Sequence, residues 1–108
     1  MRFEVLLTED AGRDLEEIYD YIREHDAPAK SEYVLDHIET TIEGSARFPA
    51  RGSYPKELLA LGIREYRETL FEPYRVIYRV AGRRVYVYLI ADGRRDMQTL
   101  LTRRLLGR

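Results

Sequence analysis

The 108-residue sequence predicts an α+β domain in which a helical hairpin packs on a twisted, mostly antiparallel four-stranded sheet. In the first half, apolar residues recur every three or four positions, which indicates amphipathic helices. In the second half, tyrosine- and valine-rich runs alternate with polar residues and are separated by short turns, which favours β-hairpins. The predicted order is βααβββ with a C-terminal helix. The length suits one domain spanning residues 1–108 with a single core.

The first elements are a strand and a helix. Arg2–Leu7 is predicted to form the opening strand, and Thr8 is a suitable N-cap for the helix that follows. This helix should end near His25 and Asp26. Its apolar stripe consists of Ala11, Leu15, Ile18, Tyr19 and Ile22.

A second helix is predicted to start near Pro28, with Ala27 or Asp26 as its cap and Gly44 as a C-terminal stop. Its buried stripe consists of Val34, Leu35, Ile38, Thr41 and Ile42. The glycines and prolines between residues 44 and 62 predict a loop. Within that loop, Leu58, Leu59 and Leu61 are expected to form a short turn that covers the core.

Two successive hairpins are predicted for the strands Ile63–Phe71, Tyr74–Val80 and Arg84–Ala91. In the middle strand we expect Tyr74, Val76, Tyr78 and Val80 to face the helices, and Arg75, Ile77 and Arg79 to share the opposite face. Asp92 and Gly93 should end the last strand. The final helix, Asp96–Leu106, has its apolar stripe at Met97, Leu100, Leu101 and Leu105.

Charge is divided unevenly along the chain. Residues 1–46 carry 4 basic and 13 acidic side chains, which leaves 14 basic and 6 acidic ones in residues 47–108. The second half is therefore suited to nucleic acid or an acidic partner. Of the basic residues 16 are arginine, which either reflects a GC-rich genome or provides forked contacts to phosphate and carboxylate.

Several function classes lack their characteristic residues. The chain has no cysteine and only two histidines, His25 and His37, each on or beside an acidic helix, so we expect neither a metal site nor a cofactor. The acid pairs Glu9/Asp10 and Glu16/Glu17 are best interpreted as solvated helix surface. No serine lies in a nucleophile elbow, and no run is apolar enough to span a membrane. We expect a soluble, cytoplasmic protein that does not contact the membrane.

Five arginines are the candidate site. Arg67, Arg75, Arg79, Arg94 and Arg95 lie on or just after the predicted strands and can converge at one end of the sheet. Fixed guanidinium groups there would bind phosphate and stabilise charge on a cleaved phosphodiester. Alternatively they form ion pairs with the nearby acids Glu65, Glu68, Glu72 and Asp96, which would add little stability.

The order and spacing of several short motifs resemble one family. LTEDAGRDLEEIYDYI, FPARG, REYRETLFEPYRVIYRV and IADGRRDMQTLL resemble the RelE/ParE superfamily of type II toxin–antitoxin toxins, also called plasmid stabilisation proteins. The resemblance covers nearly the whole chain. It implies the RelE/ParE-like fold and a small cognate antitoxin as partner, in a toxin–antitoxin hetero-oligomer.

The target differs between the two branches of that superfamily. RelE-like members cut mRNA on the ribosome with basic residues of the sheet and, often, a tyrosine in the last helix, and Arg67, Arg75 and Arg95 match such cationic positions. A further basic position falls at Thr69 and the tyrosine at about Leu101, so two nuclease features are absent. The acidic helical hairpin and the GRRD turn are more similar to the ParE branch, which poisons DNA gyrase.

The resemblance therefore implies a ParE-like gyrase poison that needs no catalysis of its own. It assigns target or antitoxin binding to Arg67, Arg75, Arg79, Arg94, Arg95 and Asp96. Two alternatives stay open: a ribosome-dependent endoribonuclease, and a degenerate toxin that only binds its antitoxin.

Overall fold

A four-stranded mixed sheet forms the centre of the protein, for which the computed structural model describes residues 3–107. Its strands lie in the order β1-β4-β3-β2, with β1 parallel to β4 and the other neighbours antiparallel. The strands are β1 (Glu4–Leu7), β2 (Arg67–Phe71), β3 (Tyr74–Ala81) and β4 (Arg84–Asp92). The α+β architecture predicted from the sequence is confirmed.

Two long helices and two shorter ones accompany the sheet: α1 (Glu9–His25), α2 (Pro28–Arg47), α3 (Lys56–Leu59) and α4 (Met97–Leu106). Thr8 caps α1, since its side-chain oxygen accepts from the amide of Ala11 at 3.1 Å. Ala27 precedes α2, and Pro28 occupies its first turn. These helix starts agree with the predictions. None of the helices described between residues 3 and 107 is long and apolar enough to cross a membrane.

The sheet has an apolar cluster on each face. One face packs against α1 and α2, and the cluster between them consists of Ala11, Ile22, Val34, Ile38, Ile42, Val76, Tyr78, Val85, Val87 and Ile90. The other face is partly covered by α3 and α4, and the cluster there consists of Leu58, Tyr66, Ile77, Leu89, Ala91, Met97 and Leu101. The alternation predicted for β3 is therefore correct for Val76, Ile77 and Tyr78.

The second helix runs past its predicted stop. Gly44 lies inside α2, which continues to Arg47. The added turn buries Ser45 and Ala46, and the carbonyl of Ala46 accepts from the amide of Phe3 at 3.0 Å. This packing outweighs the cost of about 1 kcal/mol for a helical glycine.

Further boundaries and exposures also differ from the sequence predictions. The predicted start of β1, Arg2, lies outside the described residues. Strand β2 starts at Arg67 rather than Ile63, because the amide of Ile63 still bonds to the carbonyl of Leu58 in the turn after α3. Of the three leucines expected to cover the core only Leu58 is buried; Leu59 and Leu61 are exposed.

Strand β4 contains a bulge that the sequence pattern does not reveal. Ile77 faces Leu89 and the next residue of β3, Tyr78, faces Val87, so Tyr88 is the extra residue. Beyond this point Val85 is still buried in the core, but its partner on β3, Val80, which was predicted to face the helices, is exposed.

Candidate functional site

Arg75 is buried in an ion cluster. Two of its nitrogens donate to both carboxylate oxygens of Glu57 at 2.8 and 2.9 Å, and its Nε donates to Glu68 at 2.7 Å. Only 9% of Arg75 is exposed. All three side chains belong to different elements, so the cluster joins α3, β2 and β3.

Electrostatics fix the charge states within this cluster. The hydrogen bonds from Arg75 hold the pKa of Glu57 below its ordinary range, against the opposing effect of burial. In turn, the hydrogen bond to Glu57 raises the pKa of Arg75 although burial lowers it. A guanidinium with two carboxylate partners and little exposed surface is not available to an external anion.

Arg67 is also engaged within the protein. It donates to the carbonyl of Gly52 at 2.7 Å and to the hydroxyl of Tyr54 at 3.1 Å, and its guanidinium lies 4.5 Å from the centroid of the Tyr54 ring. Arg67 is half-buried and opposite Tyr78 in the β2–β3 register. Since directly opposed residues share a face, Arg67 is on the helix side of the sheet, whereas Arg75 is on the other.

Arg79 lies near the far end of the hairpin. It is exposed, opposite Tyr86, and close to the hydroxyl of Tyr66, whose pKa is raised chiefly by burial. Within residues 3–107 no carboxylate forms an ion pair with Arg79.

The turn between β4 and α4 presents the two remaining arginines to solvent. Arg94 forms a two-point ion pair with Asp92, at 2.9 and 2.6 Å, yet 79% of its side chain stays exposed. The hydrogen bond from Arg94 lowers the pKa of Asp92. Arg95 is exposed, and within residues 3–107 its side chain makes no hydrogen bond or ion pair. Arg95 is thus the cation of this turn that has no ion-pair partner among the described residues.

Asp96 has a structural role in the same turn. Its carboxylate accepts from the amide of Thr99 at 3.2 Å and from the Thr99 hydroxyl at 2.7 Å, and so caps α4. These bonds, the side-chain one first, lower the pKa of Asp96. Its carboxylate therefore orients the helix that follows the two arginines.

The buried cluster and the exposed turn touch at Gly93. Its amide donates to the carbonyl of Pro73 at 2.8 Å. A Cβ at this position would lie 2.8 Å from Cδ of Arg75, so only glycine lets the backbone pass this close to the arginine stem. Arg75 consequently supports the turn that carries Arg94 and Arg95.

The five arginines do not converge. Arg79 is opposite Tyr86, whereas the turn follows Asp92, which is opposite Tyr74. Tyr74 and Arg79 are five positions apart along β3, a distance of about 16 Å at about 3.3 Å per residue. One end of the sheet therefore carries Arg67 and Arg79, and the other carries the turn.

A second internal ion pair was missed by the sequence reasoning. Arg104 of α4 donates to both carboxylate oxygens of Asp14 on α1, at 2.8 and 3.0 Å, and to the carbonyl of Tyr88 at 2.8 Å. Asp14 also accepts from the amide of Ile90 at 3.0 Å. The two side chains satisfy backbone groups that β1 does not reach. The only sequence signal is that Asp14 and Arg104 adjoin the apolar stripes of their helices.

A groove of about 590 Å³ runs beside the turn, between α1 and the open edge of β4. Its lining combines apolar residues such as Ile18 and Tyr21 with the cations Lys30, Arg94 and Arg95 and with four carboxylates, Asp14, Glu17, Asp26 and Asp92. An amphipathic segment whose acidic residues lie beside Arg94 and Arg95 would suit this mixed lining.

Comparison with known proteins identifies the family. Residues 5–97 match the model of the ParE toxin of type II toxin-antitoxin system, parDE. The chain belongs to the ParE toxin family. A comparison with curated proteins finds no match.

Two solved structures share the fold. A chain of the chromosomal ParDE toxin–antitoxin system from P. aeruginosa has a TM-score of 0.70 at 19% identity, covering 84% of this chain and 96% of that one. A chain of the toxin–antitoxin complex RelBE2 from Mycobacterium tuberculosis has a TM-score of 0.57 at 19% identity, covering 85% and 99%. Both similarities concern the backbone fold.

Leu101 and Thr69, the two positions at which this sequence differs from the nuclease branch, are both at least half-buried. Leu101, at the place of the nuclease tyrosine, is fully buried in the cluster under α4. Thr69 is half-buried on β2 and opposite Val76. The leucine side chain can neither donate nor accept a proton, and threonine carries no positive charge.

Proposed function

We propose that this ParE-family protein is a growth-inhibiting toxin that poisons DNA gyrase by trapping its cleaved complex with DNA. Family membership supports the toxin class. The exposure of the Arg94–Arg95 turn is the observation that makes this turn the proposed gyrase-binding surface. In this account the arginines bind the target and no bond is made or broken by the toxin. Because gyrase acts on chromosomal DNA, the proposed site of action is the cytoplasm.

The ribosome-dependent nuclease is the less favoured function on geometric grounds. Its three candidate catalytic residues are Arg67, Arg75 and Arg95. Arg75 is held by two carboxylates, and Arg67 and Arg95 belong to opposite ends of the sheet. A single phosphodiester would not contact all three.

We also propose a cognate antitoxin as partner. It would lay an amphipathic segment in the groove beside α1, with acidic residues placed against Arg94 and Arg95. The proposal is supported by the solved ParDE and RelBE2 complexes of the same fold. The antitoxin would then neutralise the toxin by covering the turn that binds the target.

The test combines purified antitoxin-free protein with gyrase, ATP and supercoiled plasmid, followed by detergent and protease. Accumulation of linear DNA is the expected result. Codon-positioned mRNA cuts that require ribosomes, without linear DNA, would replace the gyrase account by the nuclease. Normal growth of cells expressing folded protein without antitoxin would instead favour a degenerate, antitoxin-binding protein.

A further inference from the structure

The tip of the β3–β4 hairpin is a second cationic surface, separate from the Arg94–Arg95 turn. Residues 79–84 are all exposed, and three of the six are arginines: Arg79, Arg83 and Arg84. Gly82 has a φ of 62° and forms the two-residue loop with Arg83, since Ala81 pairs with Arg84. The loop itself is exposed, whereas Arg84 and Val85 pair with Glu4 and Val5 of β1, so the tip is the end of a three-stranded part of the sheet.

Two of these arginines are free of acidic partners. Arg84 pairs with Glu4 at 3.1 Å. Among residues 3–107, neither Arg79 nor Arg83 forms an ion pair. The Arg83 carbonyl accepts from the amide of Glu4 at 2.9 Å, which fixes the loop against β1. The tip thus holds two uncompensated guanidinium groups on a fixed backbone.

The acidic helices α1 and α2 lie on the face of the sheet opposite Arg79. Helices α1 and α2 pack on the face that includes Tyr78 and Val85. By strand alternation Arg79 projects from the opposite face. The overall charge of −1 therefore hides a local positive surface at the tip.

We propose that this hairpin tip binds the phosphate backbone of duplex DNA through Arg79 and Arg83. Arginine forks match phosphate oxygens, and such contacts supply sequence-independent binding to duplex DNA. Single-stranded nucleic acid is less suited, because it is held by stacking on exposed aromatic rings. Tyr66 is buried here, and Tyr86 is half-buried beside Arg84.

The experiment measures binding of the full-length protein to a fluorescent 20-base-pair duplex by anisotropy, across a salt series. The variant Arg79→Ala/Arg83→Ala is compared with Arg13→Ala/Arg23→Ala, which removes the same charge from α1. The tip variant should bind more weakly and lower the magnitude of the salt slope by about 2, one for each lost phosphate contact. Arg79→Lys/Arg83→Lys should retain most of the slope.

Three outcomes would overturn the inference: no binding of the unaltered protein at low salt, an equal loss in the α1 control, or tighter binding to single-stranded RNA of the same length. All substituted side chains are exposed, and matching thermal unfolding curves would verify that the variants fold. This site goes beyond the proposed function. DNA binding is measured without gyrase, so either result leaves the gyrase test independent.

Discussion

Two regions of this molecule use arginine in opposite ways, although they are in contact. Arg75 lies under the turn with two carboxylate partners and almost no exposed surface. Arg94 and Arg95 directly follow Gly93, which packs closely on the Arg75 side chain, and they project into solvent. The first region maintains the fold and the second is available to a partner. An arginine in a β-rich sequence is therefore not a binding residue until its partners are known.

The largest expected effect comes from removing the buried cation. Arg75→Ala leaves Glu57 and Glu68 buried without their counter-charge, which should lower the free energy of unfolding by about 3–5 kcal/mol. Urea denaturation measures it. Replacing all three side chains by apolar residues of similar volume should recover most of the loss. A decrease below about 1 kcal/mol for the single variant would contradict the structural role given to Arg75.

The second effect concerns the other internal pair. Arg104→Ala leaves the carboxylate of Asp14 and the carbonyl of Tyr88 without their donor, and should cost about 2–4 kcal/mol because the pair is largely but not fully buried. The exposed neighbour is a matched control: Arg103→Ala should change stability by less than about 0.5 kcal/mol. Similar losses in the two variants would mean that the contact with α1 contributes nothing specific.

The contact between the Arg75 cluster and the exposed turn can be tested by substituting Gly93. In Gly93→Ala the new methyl group meets the stem of Arg75, and overpacking of this kind costs about 1–3 kcal/mol. Gly12→Ala is the matched control, since Gly12 lies in α1 with open space around it and should stabilise the protein by about 0.5–1 kcal/mol. Thermal unfolding of both variants distinguishes local contact from a general glycine effect.

Acid should weaken the buried cluster in a defined pH window. The folded-state pKa of Glu57 is depressed below its ordinary value of 4.5, so its stabilising effect is complete above that pH and is lost as pH falls through the folded value. Unfolding free energies measured from pH 6 to pH 2 should decline across this range. Glu57→Gln should show a smaller decline of the unfolding free energy. A decline equal to that of the unaltered protein would show that Glu57 is not the source of the acid sensitivity.

The exposed turn should show the smallest change in stability. Arg94→Ala/Arg95→Ala removes one surface ion pair, so the free energy of unfolding should fall by no more than about 1 kcal/mol. Thermal denaturation measures it. A loss comparable to that of Arg75→Ala would show that the turn is structural rather than a binding surface.

The sequence was sufficient for the architecture but not for the site. Apolar periodicity located α1 and α4 closely, since local caps such as Thr8 and Asp96 reinforce it. The end of α2 was wrong because burial of Ala46 is a tertiary effect. Likewise, alternation put Arg75 on the correct face of β3, but Glu57 is eighteen residues away and only folding brings the two together.

The arginines beyond the core illustrate the same limit. The turn after β4 was recognisable from Asp92 and Gly93, which predicted the end of the strand. Convergence of the five arginines depended on strand register and on the bulge at Tyr88, neither of which local sequence encodes. Asp14 and Arg104 escaped notice because a charged residue beside an apolar stripe is ordinary helix surface in most sequences.

We propose that the exposed turn, and not the buried arginine, is the surface through which this protein would poison gyrase. Gyrase-dependent linearisation of supercoiled plasmid, titrated with the unaltered protein and with Arg94→Ala/Arg95→Ala, tests it most directly. We predict concentration-dependent linear DNA from the unaltered protein and at least about a tenfold weaker response from the variant, corresponding to about 1.4 kcal/mol of lost binding. An equal response from an equally stable variant would contradict the claim.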